Sequence, residues 1–219
     1  RFCGPLEKEI CKHGPAVSYS RVKLDIKDYF NSAKKLLGER IHPDLIKGIK
    51  VPTNKGKVVE HLAKGILRAK NLVYANKDGT TRYDCTELPI THFKPKEIGT
   101  SIERLKELGY SKDFKGKDLV NTDQILELYP QDLILPGQNL LEESALKVLT
   151  RVSKFVDELL VKFYKSEPYY NLKKETDLVG HLVIGLAPHI SAGTVGRIIG
   201  FSQTQGLLAH PMYHAGLRR

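Results

Sequence analysis

The stretch GHLVIGLAPHISAGTVGRIIGF, Gly180 to Phe201, with AHPMYHAGLRR, Ala209 to Arg219, close behind it, decides how this chain is read. It is rich in glycine, histidine and small residues, and from Gly180 to Arg219 it contains no Asp or Glu. Arg197 is the single charge inside the first block, and an arginine in such company is usually paired or aimed at a ligand. Gly193, Gly196 and Gly200 do not have dinucleotide-fingerprint spacing, and no Lys-Ser/Thr follows them as in a P-loop. They read as sites of close backbone packing rather than as a phosphate cradle. His210 and His214 stand four apart in HPMYH, but no glutamate base accompanies them, and Pro211 argues against a continuous helix through the pair. Local hydrogen bonding or phosphate contact suits them better than zinc hydrolysis.

Outward from this block, the pattern predicts a mixed α+β chain. In DIKDYFNSAKKLLG, Ile26, Tyr29, Phe30, Ala33, Leu36 and Leu37 recur at helical spacing, and Gly38 is the stop. VVEHLAKGILRAKNLV, 58–73, carries a second helical face. LVYANKDGTTRYDC, 72–85, predicts a hairpin turning at Asp78-Gly79. LPITHFKPKEIG, 88–99, reads as extended, its two prolines holding His92, Lys94 and Lys96 on a loop suited to phosphate contact or to plain solvation. TSIERLKELG predicts a short helix with Thr100 and Glu103 as a capping box and Gly109 as its end. QILELYPQDLILP is strand material broken by Pro130. The longest helix is expected over 139–164, capped by Asn139 and Glu142, with Leu141, Ala145, Val148, Val152, Phe155, Leu159 and Phe163 as its stripe. Composition shifts mark boundaries near residues 20 and 168.

The chain has 219 residues, a net charge of +10 and a pI near 9.4, which favours a polyanionic partner, nucleic acid first. No run of about 18 apolar residues spans a membrane. The first residue is Arg1, the only methionine is Met212 and no signal-peptide core is present, so the chain reads as a fragment or processed product. Cys3, Cys11 and His13 are candidate zinc ligands, but C-x7-C-x-H lacks the paired CxxC turns and the fourth ligand of a structural site. Cys85 is expected in the core. Three irregularly spaced cysteines make no disulfide framework and point to a reducing, intracellular setting.

Several long motifs, in order, carry a family resemblance. GILRAK (65–70), KDGTTRYDCTELPITHFKPKEIG (77–99), ERLKELGY (103–110), KFVDELLVKFY (154–164) and the two C-terminal stretches resemble the large subunit of the archaeal D-family DNA polymerase, collinearly from about Gly65 to Arg219. The resemblance implies a replicative, template-directed DNA polymerase working through a two-metal Mg2+ mechanism, as a heterodimer with a smaller subunit carrying 3′-5′ exonuclease activity. It implies that part of a double-psi β-barrel core, similar to multisubunit RNA polymerases, lies in this chain. In the family the arginine pair matching Arg218-Arg219 is followed by Asn-Cys-Asp-Gly-Asp-Glu-Asp, which carries the metal-binding residues, so no catalytic residue is expected before Arg219 and the isolated chain is expected to be inactive. The implied division is a remnant of a cysteine-rich zinc module at 1–20, a helical connector at 21–75 and part of the catalytic core at 76–219. ICKHG departs from the CxxCG that a zinc knuckle would need. Lys94, Lys96, Arg197, His214, Arg218 and Arg219 are the expected contacts to primer–template DNA or to the incoming deoxynucleoside triphosphate. His189 and His210 are expected to shape the barrel wall. The expected setting is the cytoplasm, with the nucleoid. A competing reading is a non-catalytic DNA-binding or subunit-docking module that uses the long helix as its interface. A basic RNA-binding or ribosome-associated protein fits the charge but not the ordered motifs.

Overall fold

The computed structural model describes residues 10–11, 14–15, 23–38, 60–76, 80–138, 143–188, 190 and 192–217. Two short strands, β1 (Ile10–Cys11) and β2 (Gly14–Pro15), pair antiparallel at the start. Cys3, His13 and Arg218-Arg219 lie outside the described residues, as do His189 and Asn139 to Glu142, and only the backbone of Cys11 is described.

Helix α1 (Ile26–Leu37) starts where the Asp25 carboxylate accepts the Asp28 N–H and ends where Gly38 turns left-handed, at φ 66°. Glycine adopts that conformation without a Cβ penalty. Helix α2 (Leu62–Lys70) is capped by His61, whose Nδ1 accepts the Ala63 N–H. The long helix α5 (Ala145–Glu158) runs on as a wider π-helical turn over Leu159–Tyr164. It is capped by Ser144, whose hydroxyl accepts the Lys147 N–H, rather than by the Asn139 of the sequence reading. Ala33, Leu37, Ala63, Ile66 and Leu67 form one core with Phe155, Leu159 and Phe163. The stripe expected as an interface is thus partly consumed within the chain.

Residues 87–217 build a five-stranded mixed sheet. Its members are β3 (Glu87–Pro89), β6 (Asp132–Pro136), β7 (Leu182–Gly185), β8 (Thr194–Ser202) and β9 (Leu207–Ala209), in the order β3-β9-β6-β8-β7. β6 runs parallel to β8 and antiparallel to β9, so the turn between β8 and β9 crosses over β6. All five residues of β6 are buried, as a central strand with apolar residues on both faces requires. Leu133, Leu135 and Ile198 join Ala209, Tyr213 and Leu217 on one side of the sheet, while Ile134 and Ile199 join Phe93, Ile98, Leu105, Tyr110 and Leu128 on the other. The second side is closed by strands β4 (His92–Phe93) and β5 (Leu126–Glu127), helix α3 (Pro95–Ile98) and helix α4 (Ile102–Glu107). Helix α6 (Pro211–Leu217) covers the first side.

Four sequence expectations are corrected. The hairpin expected at 72–85 forms no ladder among the described residues, and its turn at Asp78-Gly79 lies outside them. Asn76 N–H donates to Thr80 O at 2.8 Å, but Val73 is tied back to Arg68 in both directions and Thr86 O accepts the Leu207 N–H, so β9 takes the following strand. Cys85 accordingly lies off any strand, half-buried against the core, where burial pushes its thiol up from the ordinary range. The cap of α4 is Ser101, whose hydroxyl accepts the Arg104 N–H, because the Thr100 hydroxyl is drawn to Ile199 O at 2.6 Å in the sheet. Pro95 and Pro211 each open a helix instead of preventing one, since the first helical position needs no N–H donor and fits proline's φ.

Candidate nucleic-acid interface

Of the residues singled out from the sequence, Lys94, Lys96, Arg197 and His214 lie among the described residues, and the last three each face an acid. In the β6–β8 register Asp132 stands opposite Arg197. Arg197 Nε and Nη2 donate to the two carboxylate oxygens, each at 2.8 Å. Asp132 is 2% exposed and its Oδ2 also accepts the Tyr110 hydroxyl at 2.6 Å. The Tyr110 hydroxyl in turn accepts the Tyr129 N–H. Burial and the hydrogen-bonded Asp132 carboxylate push the Tyr110 hydroxyl far above its ordinary range, and the hydrogen bonds that Arg197 donates to Asp132 hold it even more firmly charged. Arg197 is therefore a paired arginine, with its Nε and Nη2 edge committed to the fold.

Lys96, at the exposed start of α3, pairs with Asp123, which raises the lysine and lowers the aspartate. Lys94 precedes α3, its backbone N–H bound by the Glu97 carboxylate, and its ammonium makes no ion pair among the described residues. His214, in α6, is buried, with Nδ1 3.1 Å from Glu87 Oε2 on β3. Its Nε2 is buried without a hydrogen-bond partner among the described residues. His210 caps α6 by accepting the Met212 N–H at Nδ1, the local hydrogen bond expected of it. Asp132 and Glu87 are the residues that sequence reasoning missed. The signal available was an unexplained acid on each of two strand-forming runs.

Net charge is distributed unevenly. Residues 1–91 carry 18 Lys and Arg against 10 Asp and Glu, so most of the +10 excess lies before the β4–α3 segment. On α1 and its approach, Lys23, Lys27 and Lys35 are exposed and make no ion pair among the described residues. Residues 92–150 carry 8 Lys and Arg against 10 Asp and Glu.

Among the described residues no group of three His, Cys, Asp or Glu side chains could hold a metal ion. The described residues therefore supply no donor set for Mg2+. A polar cleft of about 510 Å³ opens between α4 and the short 3-10 turn Glu175–Leu178, with Ser101, Arg104 and Asp177 on its walls. These three side chains are already engaged. Ser101 caps α4, Arg104 reaches Val179 O and Glu107, and Asp177 accepts the Lys173 and Lys174 N–H groups. Among the described residues no helix is long and apolar enough to cross a membrane.

Compared with known proteins, residues 38–219 match the family described as DNA polymerase II large subunit DP2, catalytic domain. The DNA polymerase II large subunit of Archaeoglobus fulgidus is 55% identical over 201 residues, covering 92% of this chain and 17% of that protein. Its counterpart in Methanococcus vannielii is 51% identical over 219 residues, 100% of this chain and 18% of that protein. That of Thermococcus kodakarensis is 58% identical over 176 residues, 80% of this chain and 10% of that protein. The chain thus spans less than a fifth of the length of these relatives.

Proposed function

We infer the function from family membership: the chain belongs to the archaeal DNA polymerase II large-subunit family, within the span described as its catalytic domain. It is part of the large subunit of a replicative DNA-directed DNA polymerase, which adds deoxynucleotides to a primer 3′-hydroxyl along a template. The observation that carries this reading is the match over 38–219. The mixed sheet, with β8 and β9 joined across β6, is read as part of a double-psi β-barrel; the crossover supports that reading.

The contribution of this chain's own residues is electrostatic. Lys94, Arg218 and Arg219 neutralise phosphate and hold the duplex or the incoming nucleotide in register. Lys96 and Arg197 present N–H donors whose charge is already balanced by Asp123 and Asp132, so they orient phosphate more than they attract it, while His214, buried against Glu87, fixes α6 beside them. Mg2+ would polarise the reacting phosphate and activate the 3′-hydroxyl, held by carboxylates that the described residues do not supply. Zn2+ would be held by Cys3, Cys11 and His13 with a fourth ligand. The partners are primer–template DNA, deoxynucleoside triphosphates and a small exonuclease subunit, in the cytoplasm at the nucleoid.

The test is fluorescence-anisotropy binding of a primer–template duplex to the full-length large subunit at a series of salt concentrations, with primer extension in parallel. Replacing both Arg218 and Arg219 by Ala should weaken binding and make the log K against log salt slope shallower by about two, one for each lost phosphate contact. Unchanged affinity, salt slope and turnover in the double variant would remove the arginine pair from the DNA contacts.

A further inference from the structure

Helices α1 and α2 and the π-helical turn that ends α5 share a core, and the cations on its outer rim are held by aromatic rings instead of acids. Phe30 of α1 and Phe163 of the π-helical turn both pack against Ala33, Leu37, Ala63, Ile66 and Leu67. The ammonium of Lys34 stands 5.5 Å from the centre of the Phe30 ring. That of Lys64, on α2, stands 5.1 Å from the centre of the Phe163 ring and 4.8 Å from that of Tyr164, and it donates to the Tyr164 hydroxyl. The Phe163 and Tyr164 rings meet edge to face with their centres 5.0 Å apart, and Tyr164 is 52% exposed. Lys27 lies seven residues before Lys34, on the same side of α1, and is exposed. Lys27, Lys34 and Lys64 make no ion pair among the described residues. The nearby acids are engaged elsewhere: Glu60 with Arg68, Glu158 with Lys70 and Lys162, Asp25 with the α1 cap, and Asp28 in the first turn of α1, where it complements the helix dipole. Over 23–38, 60–70 and 158–165 the chain carries nine Lys and Arg against four Asp and Glu. In the sheet a carboxylate balances Arg197, whereas rings orient an ammonium without cancelling its charge.

We propose that this rim is a second DNA-binding site, selective for a single strand: Lys27, Lys34 and Lys64 take backbone phosphates, and an unpaired base stacks on the Tyr164 ring. Three considerations select that ligand. The uncompensated charge calls for a polyanion. A duplex offers phosphates but keeps its bases stacked inside and leaves an exposed ring unused, whereas rings beside a row of cations are the means by which single strands are held. A protein partner fits less well, because lysine is depleted in protein–protein contacts and here it supplies the cations. The identity of the strand as DNA rests on membership of the polymerase family, but the site involves neither Arg218 nor Arg219. The two sets of contacts therefore fail independently.

Fluorescence anisotropy on the full-length large subunit, with a labelled oligothymidylate strand and with a blunt duplex over a salt series, tests the proposal. Tyr164→Leu removes the ring but no charge. It should weaken strand binding about 5- to 150-fold, the worth of one stacked base, with the salt slope and the blunt-duplex affinity unchanged. Replacing Lys27, Lys34 and Lys64 together by Gln should make the log K against log salt slope for the strand shallower by about two. Lys27→Glu alone, at an exposed position outside the core, should weaken strand binding without moving the urea midpoint. Unchanged strand affinity in Tyr164→Leu and Lys27→Glu overturns the site. Equal losses on strand and blunt duplex assign the face to duplex, and loss of small-subunit binding with strand affinity intact assigns it to a protein; either overturns the proposal too. If the Arg218 and Arg219 double variant weakens the duplex while these variants leave strand binding alone, only this proposal fails. In the reverse case only the arginine contacts fail.

Discussion

Replacing Gly200 by Ala and, separately, Gly216 by Ala should move stability in opposite directions. Gly200 lies in β8 where the strand meets α3. A Cβ built there would stand 2.7 Å from Ile98 Cβ and 2.8 Å from both Ile98 Cδ1 and Ile98 O. The Cδ1 can swing away, but the Cβ and the carbonyl belong to a short helix fixed by Pro95 and Gly99, so the strand or the helix must shift. Overpacking of this kind costs about 1–3 kcal/mol. The φ of Gly200 is not in the left-handed region, so Ala also stiffens the unfolded chain, which offsets about 0.4–1 kcal/mol. The net expectation is a loss of roughly 1–2 kcal/mol. Gly216 lies in α6, and its nearest neighbours would be the Thr194 side-chain atoms at 3.6 Å, ordinary contact distance. Ala there should stabilise by about 0.5–1 kcal/mol. Urea unfolding of the chain, followed by far-UV circular dichroism, reads both as shifts of the midpoint at constant slope. A neutral or stabilising Gly200→Ala, or an equally destabilising Gly216→Ala, would refute the packing account and reopen the glycines as a backbone approach for a ligand.

Two further outcomes follow from the ion pairs. Asp132→Ala leaves a part-exposed Arg197 and the buried Tyr110 hydroxyl without their partner, and should cost roughly 2–4 kcal/mol, below the full penalty for a wholly buried pair because Arg197 retains access to water. Asp132→Asn, which keeps one acceptor, should cost less; equal midpoints for wild type and Asp132→Ala in the same urea assay would show that the pair is energetically idle. Glu143 is held below the ordinary carboxylate range by its hydrogen bond from Arg151, Asp123 by that from Lys96, and Asp177 by the backbone N–H groups of Lys174 and Lys173. Their folded values lie below their unfolded ones, so the stability they contribute is complete above the unfolded carboxylate range, about pH 4–5, and is lost as pH falls through the folded values. Midpoints should agree at pH 7 and 5 and drop at pH 3, with a shallower drop in Glu143→Gln; a midpoint that rises on acidification would contradict the assignment.

Local signals carried the helices well. The stripe Phe30, Ala33 and Leu37 with the stop at Gly38 defines α1, and the run ending at Tyr164 closes the long helix, because the residues that decide these features lie within a turn or two of one another. The misread positions are those where a distant strand competes for a backbone or hydroxyl group. Thr100 has the composition of a cap but gives its hydroxyl to Ile199, and the run after α2 looks like half of a hairpin but is held by Arg68 and then by β9. Short-range spacing cannot register a partner about a hundred residues away.

The same argument applies to charge, with more consequence for function. A positive residue in an apolar run advertises itself in the sequence, whereas the acid that meets it does not. Asp132 lies 65 positions before Arg197 and Glu87 lies 127 before His214, and only the order β3-β9-β6-β8 brings them together. Once those acids are in place, the sheet is close to electrically balanced, and 92–150 carries slightly more acid than base. The surplus that gives the chain its high pI sits mainly in 1–91, including the exposed lysines of α1. Long-range attraction of a polyanion is set by the unbalanced charge, while register is set by oriented donors, paired or not. On this fold the two kinds of charge fall on different parts of the chain: the unbalanced charge lies mainly in 1–91, whereas Arg197 of β8 is held by the buried Asp132.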